Sequence, residues 1–391
     1  MAVINRIADF HNDMVEWRHD IHAHPETAFE EVRTAAVVEE KLRSFGMEVH
    51  TGLAKTGVVG VLKCGDSARK IGLRADMDAL DLQEFADVPH RSKYDGKMHA
   101  CGHDGHTTML LGAARYLAET KNFNGMVYFI FQPAEENEAG GRLMVEEGLF
   151  DKFPCTDVYG LHNMPGIPVG QIGLMPGPMM ASADFFEIIV HGTGAHGAMP
   201  HLGVDPILVG SEIIMGLQRI VSRTVDPIKQ AVISATKFQS GFTTNVIPET
   251  ALIAGTTRAF SVKVQDIMEA EIKRVAEGIA QAHGANIEYT YDRRYAPTIN
   301  TPDETEIAHQ AAAMVVGEEN VRRDLQPTMG AEDFSWMLQA RPGCYIWVGN
   351  GVENEPGGCM VHNPNYDFND EILSIGASYW VTLVEQELAV A

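Results

Sequence analysis

The sequence predicts an α/β protein in which a mostly parallel sheet is interrupted by a smaller, ferredoxin-like α+β domain. Three observations support this fold class. Short β-branched and aromatic runs alternate with helical patterns in the first half of the chain. The middle follows the order β-α-β-β-α-β, and the α/β alternation resumes after Pro297. The 391 residues contain no fixed-period repeat, which excludes solenoid and propeller folds.

The first half of the chain supplies the strands of the larger sheet. The predicted elements are helix 34–45, strands 58–62 and 71–74, helix 107–117, and strands 127–131 and 158–161. Strands that alternate with helices form βαβ units, whose parallel sheet is covered by helices on both faces. A helix at residues 305–316 and an apolar run at residues 344–348 continue this pattern near the end of the chain.

The middle of the chain predicts a domain of its own. Its elements are strand 185–190, helix 205–221, strands 232–238 and 252–258, helix 265–283, and strand 287–291. The second helix has one apolar face and ends at His283-Gly284, where glycine can form a C-cap. A segment of about 110 residues is an ordinary size for a domain. We therefore predict a larger domain built from residues 1–182 and 297–391, with an inserted domain at residues 183–296.

Composition and charge exclude several classes of protein. Hydrophobic residues make up 45% of the chain, which is too apolar for a disordered protein. The formal charge of -23 repels the phosphates of nucleic acids and of anionic lipids, so neither nucleic acid nor a membrane surface is expected as a partner. The five cysteines are odd in number and form no C-x-x-C pair, which favours a reducing compartment. We expect a cytoplasmic protein without a membrane span or signal peptide.

Polar side chains that can bind metal lie just beyond the ends of predicted strands and at the entry to helix 107–117. They are Asp76, Asp78, Cys101, His103, Glu135, Glu136 and His162. In open α/β sheets, ligands bind at the carboxyl ends of the strands. Thiolate, imidazole and carboxylate groups together suit Zn²⁺, or Mn²⁺, Co²⁺ or Ni²⁺.

Each of these signals alone has an ordinary structural interpretation. Cys101-x-His103 is compatible with a buried thiol beside a capping imidazole, and Glu135-Glu136 with a solvated loop. His162 is compatible with a histidine whose hydrogen bonds are satisfied at a strand end. Their occurrence at one edge of the predicted sheet favours a shared metal site.

Nine segments, in order, resemble the M20 metallopeptidase family. They are HAHPETAFEE, LRADMDAL, GKMHACGHDGHTTMLLGAA, FQPAEE, GLHNMP, GAHGAMPH, TNVIPETA, GAEDF and VHNPNYDF. The most similar branch is that of hippurate hydrolase, N-acyl amino acid amidohydrolases and the plant hydrolases of auxin conjugates. The resemblance extends from Arg18 to Asp367 and implies a zinc exopeptidase-like catalytic domain with an inserted lid and dimerisation domain.

The resemblance also implies a set of site residues. Two adjacent divalent metal ions, Zn²⁺ or else Mn²⁺, Co²⁺ or Ni²⁺, would be held by Cys101, His103, Glu136, His162 and His362. Glu135 corresponds to the general base, and Asp78 to the aspartate that orients a ligand. Asp76 is a weaker candidate, because it stands where more distant relatives have a metal-binding histidine. Asp81 replaces the proline usual in this motif.

In the inserted domain, the resemblance assigns His196 to stabilisation of the oxyanion and assigns Asn245 and Arg258 to the amide and carboxylate of the substrate. The alternatives are that His196 caps a turn and that Arg258 pairs with a surface acid. The resemblance also suggests a homodimer or higher oligomer formed through this domain. We assign no role to the remaining motif histidines, which are His22, His24, His99, His106 and His201.

The function that the resemblance implies is hydrolysis of N-acyl-L-amino acids to a carboxylic acid and a free amino acid. A metallo-dipeptidase or carboxypeptidase of the same family is one alternative. A second is a metal-free thiol hydrolase with Cys101 as nucleophile and His103 as base, although their i, i+2 spacing at a helix entry disfavours it. A third is a binding protein without activity, which the complete set of ligands and base disfavours.

Overall fold

A computed structural model describes residues 2–390, which form eleven α-helices, three short 3-10 helices and sixteen strands. The helices are α1 (Asn5–Asp9), α2 (His11–His22), α3 (Val32–Ser44), α4 (His103–Thr120), α5 (Gly140–Glu146), α6 (Leu149–Lys152), α7 (Pro206–Arg223), α8 (Val262–His283), α9 (Pro302–Val316), α10 (Phe334–Ala340) and α11 (Leu373–Glu387).

The strands are β1 (Glu48–Leu53), β2 (Gly57–Cys64), β3 (Lys70–Asp76), β4 (Gly125–Gln132), β5 (Asp157–Pro165), β6 (Ile172–Gly173), β7 (Gly177–Met180), β8 (Ala183–His191), β9 (Ala195–His196), β10 (Ala231–Ser240), β11 (Val246–Ile247), β12 (Thr250–Ala259), β13 (Asn286–Tyr295), β14 (Thr298–Asn300), β15 (Val321–Arg322) and β16 (Gly343–Gly351). They are divided between two compact units. The larger unit comprises residues 2–179, 299–326 and 333–390, and the inserted unit comprises residues 180–298 and 327–332.

The larger unit is built on an eight-stranded sheet in the order β1-β2-β4-β3-β5-β16-β6-β15. Its centre is parallel, since β3 pairs in parallel with both β4 and β5, and β5 with β16. The predicted mostly parallel sheet is therefore confirmed. The strand predicted at residues 58–62 lies within β2, which runs antiparallel to β4 and forms an antiparallel hairpin with β1 at one side of the sheet.

The inserted unit has a four-stranded antiparallel sheet in the order β10-β12-β8-β13, with α7 and α8 against one face. This is the predicted ferredoxin-like arrangement. Local sequence defines both helices. Asp205 accepts a hydrogen bond from the backbone N–H of Ile207 at the start of α7, and Ser261 caps α8 in the same way. Gly284 ends α8 in the left-handed conformation, as the C-cap prediction requires.

Between residues 2 and 390, no helix has both the length and the apolar character needed to cross a membrane.

Candidate metal centre and active site

The candidate site lies where β3, β4 and β5 end and where α4 begins. Asp78 and the pair Glu135-Glu136 follow β3 and β4, and His162 lies within the last part of β5. Helix α4 starts at His103, four residues earlier than predicted, so the Cys101-x-His103 motif lies at its N-terminus. The topology therefore brings the polar residues of four segments to one edge of the sheet, as expected for an open α/β fold.

Cys101, His103 and His162 form one group of potential ligands, whose donor atoms all lie within 4.8 Å of one another. The Nδ1–H of His162 donates to the carbonyl of Asn163 (2.5 Å), which leaves Nε2 facing the Cys101 sulfur at 3.3 Å. The Nδ1–H of His103 donates to the backbone carbonyl of Asp78 (2.9 Å). Its Nε2 is buried and has no hydrogen-bond partner among the described residues. A buried ring nitrogen left in this state is suited to binding a cation.

Cys101, Glu136 and His362 form a second group within the same 4.8 Å limit. The His362 Nε2 lies 3.0 Å from a Glu136 oxygen. The His362 backbone has a left-handed φ of 62° and donates its N–H to the carbonyl of Ala100 (2.7 Å), which holds this loop beside Cys101. Cys101 belongs to both groups, so these side chains would hold two neighbouring cations.

The electrostatics favour cations at this position. Burial, together with the carboxylates of Glu136 and Glu135, raises the pKa of the Cys101 thiol well above its usual range. A thiolate is stable here only beside a positive charge, and a coordinating metal supplies that charge. Burial also opposes the charged form of His103, yet Asp76 and Asp78 outweigh it and raise the pKa of this imidazole to about 10. The donor atoms and the excess of carboxylates therefore fit divalent cations of the Zn²⁺ type.

Asp78 contacts three of the candidate site residues at once. Its carboxylate accepts hydrogen bonds from the backbone N–H groups of Glu135 (3.0 Å) and Glu136 (2.8 Å) and from the Nδ1 of His103 (3.2 Å). One buried carboxylate thus orients the β4 loop and the first residue of α4 together.

The two adjacent glutamates have different neighbours. Glu136 contacts His362 and shares a potential ligand group with Cys101. Glu135 is 7% exposed, and one of its oxygens lies 3.4 Å from the backbone nitrogen of Asp333. Because successive side chains of an extended loop point in opposite directions, one glutamate can bind metal while the other faces a water or a substrate.

Asp76 makes its hydrogen bonds to buried residues behind the candidate ligands. Its carboxylate contacts the guanidinium of Arg74 and the Nδ1 of His106, both at 2.6 Å, and all three side chains are fully buried. Arg74 in turn contacts Asp333 at 2.9 Å. Sequence reasoning missed Arg74, His106 and Asp333 as supports of the site. In the sequence, only the position of Asp333 within the GAEDF motif indicated that it is important. The motif does not reveal that Asp333 contacts Arg74.

The three substrate-contacting candidates lie in the inserted unit. The backbone N–H of Ala198 donates to the His196 Nδ1 (3.0 Å), which leaves the Nε2–H of an exposed ring as a donor. Asn245 lies nearby, because its carbonyl accepts the N–H of Gly197 (2.8 Å). Arg258, on β12, is half-buried.

Arg258 donates to two oxygens of its own strand, the Thr256 hydroxyl and the Thr257 carbonyl, the latter at 2.8 Å. Within residues 2–390, it makes no ion pair with a carboxylate, which disfavours the alternative of a surface ion pair. The hydrogen bond from Ala198 to His196, by contrast, is the contact expected if His196 caps a turn.

Comparison with known proteins gives matches over nearly the whole chain. The sequence matches the family model described as peptidase family M20/M25/M40 over residues 72–386. It is 43% identical to hippurate hydrolase from Campylobacter jejuni, with 98% of each chain covered. It is 38% identical to N-acetylcysteine deacetylase from Bacillus subtilis, with 96% of each chain covered.

A solved structure with a similar fold is that of the B. subtilis YxeP protein, described as a dinuclear metal-binding peptidase of the M20 family. Its TM-score is 0.84 at 35% identity, and 98% of this chain and 100% of that chain are covered.

Proposed function

Because the chain belongs to peptidase family M20/M25/M40, we propose that it hydrolyses the amide bond of N-acyl-L-amino acids to a carboxylic acid and a free amino acid. This membership confirms the family resemblance that the nine motifs indicated. The names of the most similar relatives, hippurate hydrolase and N-acetylcysteine deacetylase, support an N-acyl amino acid as substrate.

The observation that carries the proposal is the pair of ligand groups that share Cys101 and adjoin Glu135. We propose that Cys101, His103 and His162 hold one divalent cation and that Cys101, Glu136 and His362 hold the other. Zn²⁺ fits this mixture of sulfur, nitrogen and oxygen donors best, with Mn²⁺, Co²⁺ and Ni²⁺ as alternatives. When bound, such cations polarise the scissile carbonyl and acidify the attacking water.

The residues of the chain supply the remaining steps. Glu135 accepts a proton from the attacking water and passes it to the leaving amine. Asp78 holds the backbone of Glu135 in place through its hydrogen bond. In this proposal His196 donates its Nε2–H to the carbonyl oxygen as negative charge develops there. Asn245 binds the amide of the substrate.

Arg258 is proposed to recognise the carboxylate of the amino acid portion. A guanidinium binds a carboxylate through two parallel hydrogen bonds, which selects substrates with a free carboxylate. We further propose that residues 183–296 act as a lid and dimerisation domain and that the protein is cytoplasmic.

A metallopeptidase that acts on dipeptides remains the second candidate, because the family and the YxeP protein are both described as peptidases. The metal-free thiol hydrolase is disfavoured. Its base would be His103, whose Nδ1 is engaged by Asp78, and the high pKa of Cys101 opposes a free thiolate.

A hydrolysis screen of the metal-loaded enzyme tests the proposal. Benzoyl, acetyl and indoleacetyl amino acids are compared with dipeptides, and N-benzoylglycine amide, which lacks the carboxylate, serves as matched control. We expect release of a carboxylic acid and a free amino acid from at least one N-acyl amino acid, and little release of benzoate and glycinamide from the control. Faster turnover of dipeptides would favour the second candidate, and no hydrolysis of any N-acyl amino acid would contradict the proposal.

A further inference from the structure

A buried histidine behind the candidate ligands has both ring nitrogens engaged. His106 lies one turn after His103 on α4 and has no exposed surface. Its Nδ1 lies 2.6 Å from a carboxylate oxygen of Asp76. Its Nε2 lies 2.7 Å from the side-chain oxygen of Asn163 and 3.0 Å from the Asn163 backbone nitrogen. The ring therefore bridges the end of β3 and the residue that follows His162.

Asn163 transmits this contact to His162. With the His106 proton on Nδ1 beside Asp76, the Asn163 N–H donates to the His106 Nε2 at 3.0 Å, and the Asn163 carbonyl accepts the Nδ1–H of His162 at 2.5 Å. Two backbone groups of one residue thus connect the two rings. Because the carbonyl can only accept, it fixes the tautomer in which the His162 Nε2 is free to bind metal.

The side chain of Asn163 is held as firmly as its backbone. Its amide donates to the hydroxyl of Tyr366 at 2.7 Å, and both residues are fully buried. They lie directly against Gly102, which has a φ of +96°. A Cβ at Gly102 would come within 2.2 Å of the Asn163 side-chain oxygen and 2.7 Å of the Tyr366 hydroxyl. Asn163 therefore also contacts the backbone between Cys101 and His103.

Asp76, the other partner of His106, is held by a residue of strand β3. Asp76 contacts the buried guanidinium of Arg74 at 2.6 Å on the oxygen that does not face His106. In metalloproteins, partners that hold a ligating histidine through its other nitrogen set both its orientation and its affinity for the metal.

We propose that His106 is a positioning residue that sets the metal affinity of the group Cys101, His103 and His162 by fixing Asn163 and, through it, His162. This inference rests on the proposed function, because it takes these three residues to be ligands. The group Cys101, Glu136 and His362 should depend less on His106, since within residues 2–390 neither Glu136 nor His362 makes a hydrogen bond with His106.

The test is a Co²⁺ titration of the metal-free enzyme, followed by visible absorption and by the thiolate band in the near ultraviolet. Two variants separate the two contacts of the ring. His106→Asn places an amide near the Nδ1 position, so it keeps the Asp76 contact and loses the Asn163 contact. His106→Gln places an amide near the Nε2 position, so it keeps the Asn163 contact and loses the Asp76 contact. Thr108→Val is the matched control, because Thr108 is buried on the same helix and its hydroxyl has no hydrogen-bond partner within residues 2–390.

We expect the wild type to bind two Co²⁺ ions per chain. His106→Asn should weaken one of the two binding steps by about 10- to 100-fold, His106→Gln should weaken it less, and Thr108→Val should bind as the wild type does. His362→Ala identifies the affected step, since it removes a ligand of the other group. A folded His106→Asn variant that binds both ions with wild-type affinity overturns the proposal.

Circular dichroism and thermal unfolding of the metal-free variants show whether each one folds. Where His106→Asn does not fold, Tyr366→Phe decides, because it removes only the hydroxyl that accepts from the Asn163 amide. A several-fold weakening of the same step supports the proposal, and unchanged binding overturns it. A wild-type enzyme that binds no Co²⁺ would instead contradict the proposed function itself.

Discussion

Glu135 and Glu136 show how two identical neighbouring side chains can acquire different expected roles. Asp78 binds both of their backbone N–H groups, so the loop is fixed and the side chains diverge. Glu136 contacts His362, and Glu135 lies near the backbone of Asp333. From these neighbours we propose that Glu136 is the ligand and Glu135 the base.

The two glutamates can be separated by isosteric substitution. Glu136→Gln should weaken metal binding, because a neutral amide oxygen is a poorer ligand for a divalent cation. Glu135→Gln should retain both metals while kcat falls by roughly 10² to 10⁴-fold, the range of general acid–base catalysis. Elemental analysis and kcat of both variants check this. If Glu135→Gln loses metal and Glu136→Gln retains it, the roles are reversed.

Arg258 and His196 should affect different kinetic constants. Arg258→Ala should chiefly raise KM for substrates with a carboxylate, because the lost contact is charge-assisted and bidentate. His196→Ala should chiefly lower kcat, because a donor to the oxyanion acts in the transition state. Steady-state kinetics on an N-acyl amino acid measure both. Wild-type constants in both variants would mean that neither side chain contacts the substrate.

At the residue scale, the sequence predicted the candidate ligands better than their supports. Cys101-x-His103, Glu135-Glu136 and His162 stand out because they follow strands or open a helix. His106 belongs to the same motif, but its partners, Asp76 and Asn163, are 30 and 57 positions away along the chain. No local pattern reveals contacts between residues so far apart.

At the scale of elements, helix α4 shows that hydrophobic periodicity can place the start of a helix wrongly. It starts at His103 rather than at residue 107, and thirteen of its eighteen residues are buried. Three of the four additional residues, His103, Asp104 and His106, are polar and look like a loop in the sequence, but they are buried because Asp78, His22 and Asp76 bind them. Helix α11 was not predicted, because eleven of its fifteen residues are buried and it lacks a polar face.

Arg18 on α2 joins elements that carry parts of the site. Its buried guanidinium contacts Asp104 on α4 at 3.2 Å and Asp367 in the loop after His362 at 3.3 Å. A buried charge is stable only with such partners. These contacts hold the start of α4 and the His362 loop to the same helix.

The inserted sheet contains a buried acid whose titration should affect stability. Asp184 on β8 has no exposed surface, and burial raises its pKa to about 6, although Tyr291 and Gln265 donate hydrogen bonds to it. In the unfolded chain the same carboxyl group ionises near pH 4 (about 3.9). The folded protein therefore retains this proton over a range in which the unfolded chain has lost it.

The contribution of Asp184 is complete below about pH 4 and is lost as the pH rises through about 6. The free energy of unfolding of the wild type, relative to Asp184→Asn, should decrease by an amount on the order of 3 kcal/mol across this window. Denaturant unfolding of both proteins at several pH values measures this difference. A difference that stays constant with pH would show that Asp184 keeps its ordinary pKa when folded.

At the scale of the whole molecule, the fold class and the family were accessible from the sequence. The alternation of elements indicated both sheets, and nine motifs in order indicated the family to which the chain belongs. The net charge of -23 does not indicate where the site lies, because few of the acidic residues, such as Asp78 and Glu135, belong to the site, and these are buried. The family resemblance already gave Asp76 and Asp78, and Glu135 and Glu136, different roles; the folded chain adds the buried and distant partners of each.

The most direct test of the account is the metal dependence of N-acyl amino acid hydrolysis. The enzyme is stripped with a chelator, shown by elemental analysis to be metal-free, assayed, and then titrated with Zn²⁺. We expect negligible hydrolysis by the metal-free enzyme and recovery of activity that is complete at two ions per chain. A metal-free enzyme that hydrolyses N-acyl amino acids at the full rate would contradict the account.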